Sequence, residues 1–209
     1  MQPREPVNTY THAAGALLAL VGLAFLLRLA WPQPLLLAAA LVFGVSMTLM
    51  YAASAGYHAV NLSRRGLAWM RKLDHAAIFL FIAGSYTPVL LTMLTGPARW
   101  LWLGLVWGLA ALGIGLKLWK MTAPRWLSTL SYLGLGWLAV FLVPRLQLPA
   151  AALGWMIASG AFYSLGALIY ALKKPNLPSF GFHELWHLFV LGGSATMYAA
   201  VWILLAPAS

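Results

Sequence analysis

The sequence predicts an all-α membrane protein, a single seven-helix transmembrane bundle spanning residues 1–209, with the N-terminus cytoplasmic and the C-terminus outside. Three observations predict it. The chain is 63% hydrophobic and only 8% charged, with a mean hydropathy of +0.85, whereas a soluble domain carries about 25% charged residues. Apolar runs near the roughly 20 residues that one membrane-spanning helix needs recur seven times. Lysine and arginine gather in alternate breaks between those runs.

The first run, 11–30, follows a short polar stretch containing Arg4. It resembles a signal peptide only faintly, because it has no small-x-small cleavage site and carries Arg28 near its end, so a retained helix is expected. Trp31 and two prolines, Pro32 and Pro34, separate it from the run 35–60. A basic stretch over 61–72 leads into 73–95. Gly96 and Pro97 introduce 99–118, and the basic residues over 117–125 precede 126–145. Prolines at 144 and 149 break before 150–172, and residues 173–178 before 181–205. Trp100, Trp102, Trp119, Trp126 and Trp155 fall near helix ends, where an interfacial aromatic belt places them.

Orientation follows from the basic residues. Arg4, Arg64, Arg65, Arg71, Lys72, Lys117, Lys120, Arg125, Lys173 and Lys174 fall on one side, and Arg28, Arg99 and Arg145 on the other. The larger group marks the cytoplasmic side. The net charge of +10 comes from residues placed singly or in pairs between apolar runs, which indicates lipid headgroups and topology rather than nucleic acid. The absence of cysteine excludes disulfides and thiolate metal ligands.

The chain has three acids, Glu5, Asp74 and Glu184, and five histidines, His12, His58, His75, His183 and His187. On this topology all eight fall at cytoplasmic helix ends. Ionisable groups within membrane helices face the bundle interior and pair with each other or with a metal. His183 and His187, four apart, project from one helical face at a spacing that lets two imidazoles share an ion. His58 offers a third imidazole at the same depth on another helix. With no thiolates available, three imidazoles suit zinc better than calcium or magnesium, and they leave its fourth position open. His183-Glu-Leu-Trp-His187 also fits the H-E-x-x-H pattern, which makes Glu184 a candidate general base. Asp74, inside an apolar helix start, is the better placed rival. Ser54, one turn before His58, either hydrogen-bonds near the metal or serves as a small residue at a helix contact.

Several segments together resemble the bacterial haemolysin III proteins of the progestin and adipoQ receptor family. They are Glu5-Pro-Val-Asn8 with His12, Ser54-Ala-Gly-Tyr-His58, Leu73-Asp-His-Ala-Ala-Ile78 running to Gly84-Ser-Tyr-Thr-Pro88, and Phe182-His-Glu-Leu-Trp-His-Leu-Phe-Val190. The resemblance covers nearly the whole chain, from Glu5 to about Ser194. It implies a zinc ion near the inner face held by His58, His183 and His187, with Asp74 holding the metal's water and Ser54 as the serine of an S-x-x-x-H element. Through the grouping of this family with alkaline ceramidases it also implies cleavage of a lipid amide or ester. The chain lacks the extended N-terminal cytoplasmic region of the eukaryotic receptors, which argues against a hormone-receptor role.

The expected function is therefore a metal-dependent hydrolase in the bacterial plasma membrane that acts on a membrane lipid and affects lipid homeostasis. The alternative is a non-enzymatic sensor in which zinc staples helices together. A cytolysin and an intramembrane zinc protease are further alternatives, the first without support for a water-soluble form and the second resting on H-E-x-x-H alone.

Overall fold

Lipid offers the backbone no hydrogen-bond partner, so an apolar segment that crosses it must satisfy its own N–H and C=O groups, and a helix does so within one segment. The computed structural model describes residues 2–119, 124–177 and 180–206, and among them seven helices are long and apolar enough to span a membrane. These are α1 (Pro6–Ala30), α2 (Pro34–Ala59), α3 (Arg64–Met93), α4 (Gly96–Trp119), α5 (Arg125–Arg145), α6 (Ala150–Leu172) and α7 (Phe182–Leu205). Lys120 of the charge reading and Pro178 of the last break lie outside the described residues.

α3 is the inmost helix and touches α2, α4, α5 and α7; α1 lies on α2 and α7, and α6 on α7 and α5. Leu17, Leu18, Phe25, Leu101, Leu112, Phe141 and Ile157 point outward, as a lipid solvent permits. Trp31, Trp100, Trp119, Trp126 and Trp155 are likewise exposed near helix ends.

Three elements differ from the sequence reading. The helix α1 begins at Pro6 rather than near residue 11, because proline fits the first turn, where its missing N–H costs nothing. The helix α3 begins at Arg64 rather than near 73, so most of the basic stretch is helical. The Ser63 side chain accepts the Gly66 N–H at 3.3 Å and caps this start. In its third turn Lys72 Nζ donates to the Leu118 and Trp119 carbonyls at 2.6 and 3.2 Å, placing a cation at the negative end of α4. The third difference is α5, which is interrupted at Leu138 and ends in a tighter turn over Val143–Arg145. Gly134 and Gly136 weaken the helix here, and the Tyr86 hydroxyl is shared between the Leu135 and Gly136 carbonyls at 2.9 and 2.6 Å. A side-chain donor from α3 thus serves carbonyls close to the break.

Close backbone approach sets two of the helix contacts. A Cβ on Gly84 of α3 would come within 2.7 Å of Ser46 Cβ on α2, and one on Gly193 of α7 within 2.7 Å of the Tyr163 ring on α6. Along the second contact Ser159 donates to the Gly193 carbonyl at 2.8 Å and Tyr163 meets Ser194 at 2.9 Å. Gly84→Leu should force α2 and α3 apart at an overpacking cost of about 1–3 kcal/mol. A thermal unfolding curve in detergent should show the lowered midpoint; an unchanged midpoint would mean that the contact yields freely.

Candidate metal centre

The centre forms where the chain's N-terminal segment runs along the end of α2. The Arg4 and Glu5 N–H groups donate to the Ala59 and His58 carbonyls at 3.3 and 3.1 Å. Arg4 also donates to the Tyr57 carbonyl at 2.9 Å, stacks over the Tyr57 ring at 4.6 Å, and pairs with Glu5 at 3.1 Å. These contacts set the Glu5 carboxylate beside the His58 imidazole. His58 Nδ1 meets Glu5 Oε2 at 2.8 Å, Asn8 Nδ2 donates to the same oxygen at 2.9 Å, and His183 Nδ1 lies 3.7 Å from it.

The hydrogen bond with His58 holds the Glu5 carboxyl at about 2, well below the ordinary carboxylate range. Glu5 is therefore ionised throughout the physiological range and is set to accept a proton from His58 Nδ1. That fixes the tautomer and leaves the Nε2 lone pair free, the arrangement carboxylate–histidine–metal sites use. His58 is 1% exposed, and its Nε2 is buried without a hydrogen-bond partner among the described residues, a costly state for a polar atom unless a ligand takes it.

The donors needed for such a ligand are present. One ligand atom from each of His58, His183 and His187 lies within 4.8 Å of the other two. The three residues could hold a metal ion, and an all-imidazole set suits a transition metal or zinc. Two come from one face of α7 and the third from α2, as the four-residue spacing and the matched depth predict.

Asp74 stands outside this trio. It lines an adjoining cavity of about 420 Å³ together with Glu5, His75 and His183, and its carboxyl approaches the Ser54 hydroxyl. Ser54 is buried, one turn before His58. Glu184 is elsewhere: its Oε2 accepts the Gly181 N–H at 2.8 Å, so it caps α7 and does not line the cavity. The general-base candidate in H-E-x-x-H is therefore occupied as a helix cap. His75 also lines the cavity, where its Nδ1 meets Tyr132 Oη at 3.0 Å.

The sequence reading gave Glu5, Asn8 and His12 no role, and the structure gathers all three at the site. His12 is 3% exposed and stacks on His187 with ring centroids 3.8 Å apart. Asn8 bridges Glu5 and His183, at 2.9 and 3.4 Å. Their three- and four-residue spacing, which puts polar groups on one face of an otherwise apolar helix, is the signal that marks them.

A family model described as haemolysin-III related matches residues 1–198. The chain is 38% identical over 207 residues to Hemolysin-3 of Bacillus cereus, an alignment covering 97% of this chain and 92% of that protein. It is 37% identical over 201 residues to the Hemolysin-3 homolog of Bacillus subtilis (strain 168), covering 94% and 92%. The human monocyte to macrophage differentiation factor, a relative from the progestin and adipoQ receptor family, is 28% identical over 206 residues, covering 93% and 82%.

Loss of the Glu5 carboxylate should loosen the imidazole it orients. Glu5→Gln is expected to weaken uptake of a divalent transition-metal ion about 10–100-fold, measured by competition with a chelator. An affinity equal to wild type would remove Glu5 from the centre.

Proposed function

This chain belongs to the haemolysin III-related family, a group of multi-pass membrane proteins, and from that premise we propose that it is a zinc-dependent hydrolase of a lipid amide or ester, working at the cytoplasmic face of a bacterial plasma membrane in lipid homeostasis. The observation that carries the reading is the buried, unpartnered Nε2 of His58, set among three converging imidazoles beside a polar cavity that contains a carboxylate. A purely apolar bundle has no use for that arrangement.

His58, His183 and His187 would hold the ion. When bound, zinc supplies Lewis acidity toward a carbonyl and brings the pKa of a coordinated water toward about 7. The remaining work falls to the chain's own groups. Glu5 keeps His58 in the tautomer that presents Nε2, and Asn8 holds Glu5 and His183 in register. Asp74 is the carboxylate placed to take up and return a proton at its Oδ atoms, with the Ser54 hydroxyl orienting it. Tyr57, Tyr170 and Phe182 bring aromatic surface to the cavity, which suits a lipid's apolar neck.

A structural staple would use the same ligands, since they join α2 to α7, but it gives Asp74 nothing to do. The two readings part at that residue. Purified wild type should contain about one zinc per chain, and His58→Ala should lose it. Asp74→Asn should retain the metal while turnover of an amide or ester lipid falls about 10²–10⁴-fold, the range of general acid–base contributions. Metal analysis and fatty-acid release measure the two quantities separately. Zinc-replete wild type that releases no fatty acid from a broad panel of lipids would overturn the hydrolase and leave the staple; wild type without zinc would overturn both.

A further inference from the structure

Two cations that line the cavity form no ion pair among the described residues. Arg71 lies three and four residues before Asp74 and His75, so one face of α3 presents all three, and all three line the cavity. Arg125, the first residue of α5, lines it with Ser128 and Thr129 at the same spacing. Its guanidinium is seated on the Tyr170 and Phe182 rings, 4.8 and 5.6 Å from their centroids, which fixes its position without neutralising it.

The whole sequence has three acids. Glu184 caps α7. Glu5 is engaged by Arg4, His58 and Asn8. Asp74 remains, and the ion pairs among the described residues all centre on Glu5. Two lysines nearby are directed elsewhere: Lys72 donates to carbonyls at the end of α4, and Lys117 donates to Ser128 at 2.5 Å. Two guanidinium groups that line one polar cavity, with no ion pair among the described residues, can offer an anion charge-assisted hydrogen bonds.

We propose that Arg71 and Arg125 bind the phosphate of an anionic lipid, so that the lipid's polar end enters the cavity beside Asp74 and His183. Calling that lipid a substrate rests on the hydrolase reading; its binding does not. A lipid is favoured over a free anion because the cavity sits at the ends of membrane-spanning helices and has Tyr57, Tyr170 and Phe182 in its walls.

The test is a titration of full-length protein, held in phosphatidylcholine nanodiscs, with lysophosphatidate, lysophosphatidylcholine and inorganic phosphate. Wild type should bind lysophosphatidate saturably and lysophosphatidylcholine far more weakly. Arg71→Gln with Arg125→Gln should weaken lysophosphatidate binding about 100-fold, at roughly tenfold for each charge-assisted contact. Arg64→Gln with Arg65→Gln, which removes as much charge from the first turn of the same helix, should change it by less than about twofold. The single variants, each about tenfold weaker, carry the test if the double variant does not fold. Equal losses in the two pairs would reduce the effect to general headgroup attraction and overturn the site. Inorganic phosphate displacing the lipid at matching concentration would overturn the lipid assignment. Because binding is read without turnover, lysophosphatidate bound but no lipid cleaved would sustain this site and sink only the hydrolase reading.

Discussion

Within a bilayer a polar group has only other protein groups to satisfy it, and that constraint arranges everything else in this bundle. It makes the seven spans helical and turns leucine and phenylalanine outward. It also leaves few places where an ionisable side chain is tolerated. Each acid is matched to a partner or a cavity: Glu184 to a backbone N–H, Glu5 to Arg4, Asn8 and His58, and Asp74 to the polar cavity it lines. Even the broken α5 obeys the rule, since Tyr86 serves carbonyls close to its interruption.

The same economy explains why the candidate centre involves the N-terminal segment. An imidazole that presents Nε2 to an ion needs its other nitrogen fixed, and an ionised carboxylate does this. Glu5 reaches His58 because backbone hydrogen bonds lay residues 4 and 5 along the end of α2. Three helices, α1, α2 and α7, are drawn together at that point.

The histidine centre and the cavity that adjoins it differ chemically. Around His58 the groups are acceptors aimed inward, which suits a cation. In the adjoining cavity Arg71 and Arg125 have no ion pair among the described residues, which suits an anion. Asp74, on α3, lines the cavity together with both arginines. Under the proposed reading, a lipid with an acyl linkage at one point and a negative charge at another would engage both regions.

The spans, the family motifs and the pairing of His183 with His187 were legible in the sequence because each depends on local order: an apolar run, a contiguous motif, one helical turn. The depth of His58 could also be read by counting residues from a helix end. What the sequence left open was rotation and reach. Nothing in its periodicity says that Glu184 turns back to cap its own helix, or that Glu5 rather than Asp74 orients His58. It likewise does not show that Arg71 and Arg125, 54 positions apart in the chain, share a cavity. Those outcomes depend on how seven helices are rotated and staggered against one another. Contacts between residues distant in the chain, such as Gly84 on Ser46 and the N-terminal segment on α2, set that arrangement, and only the folded bundle contains them.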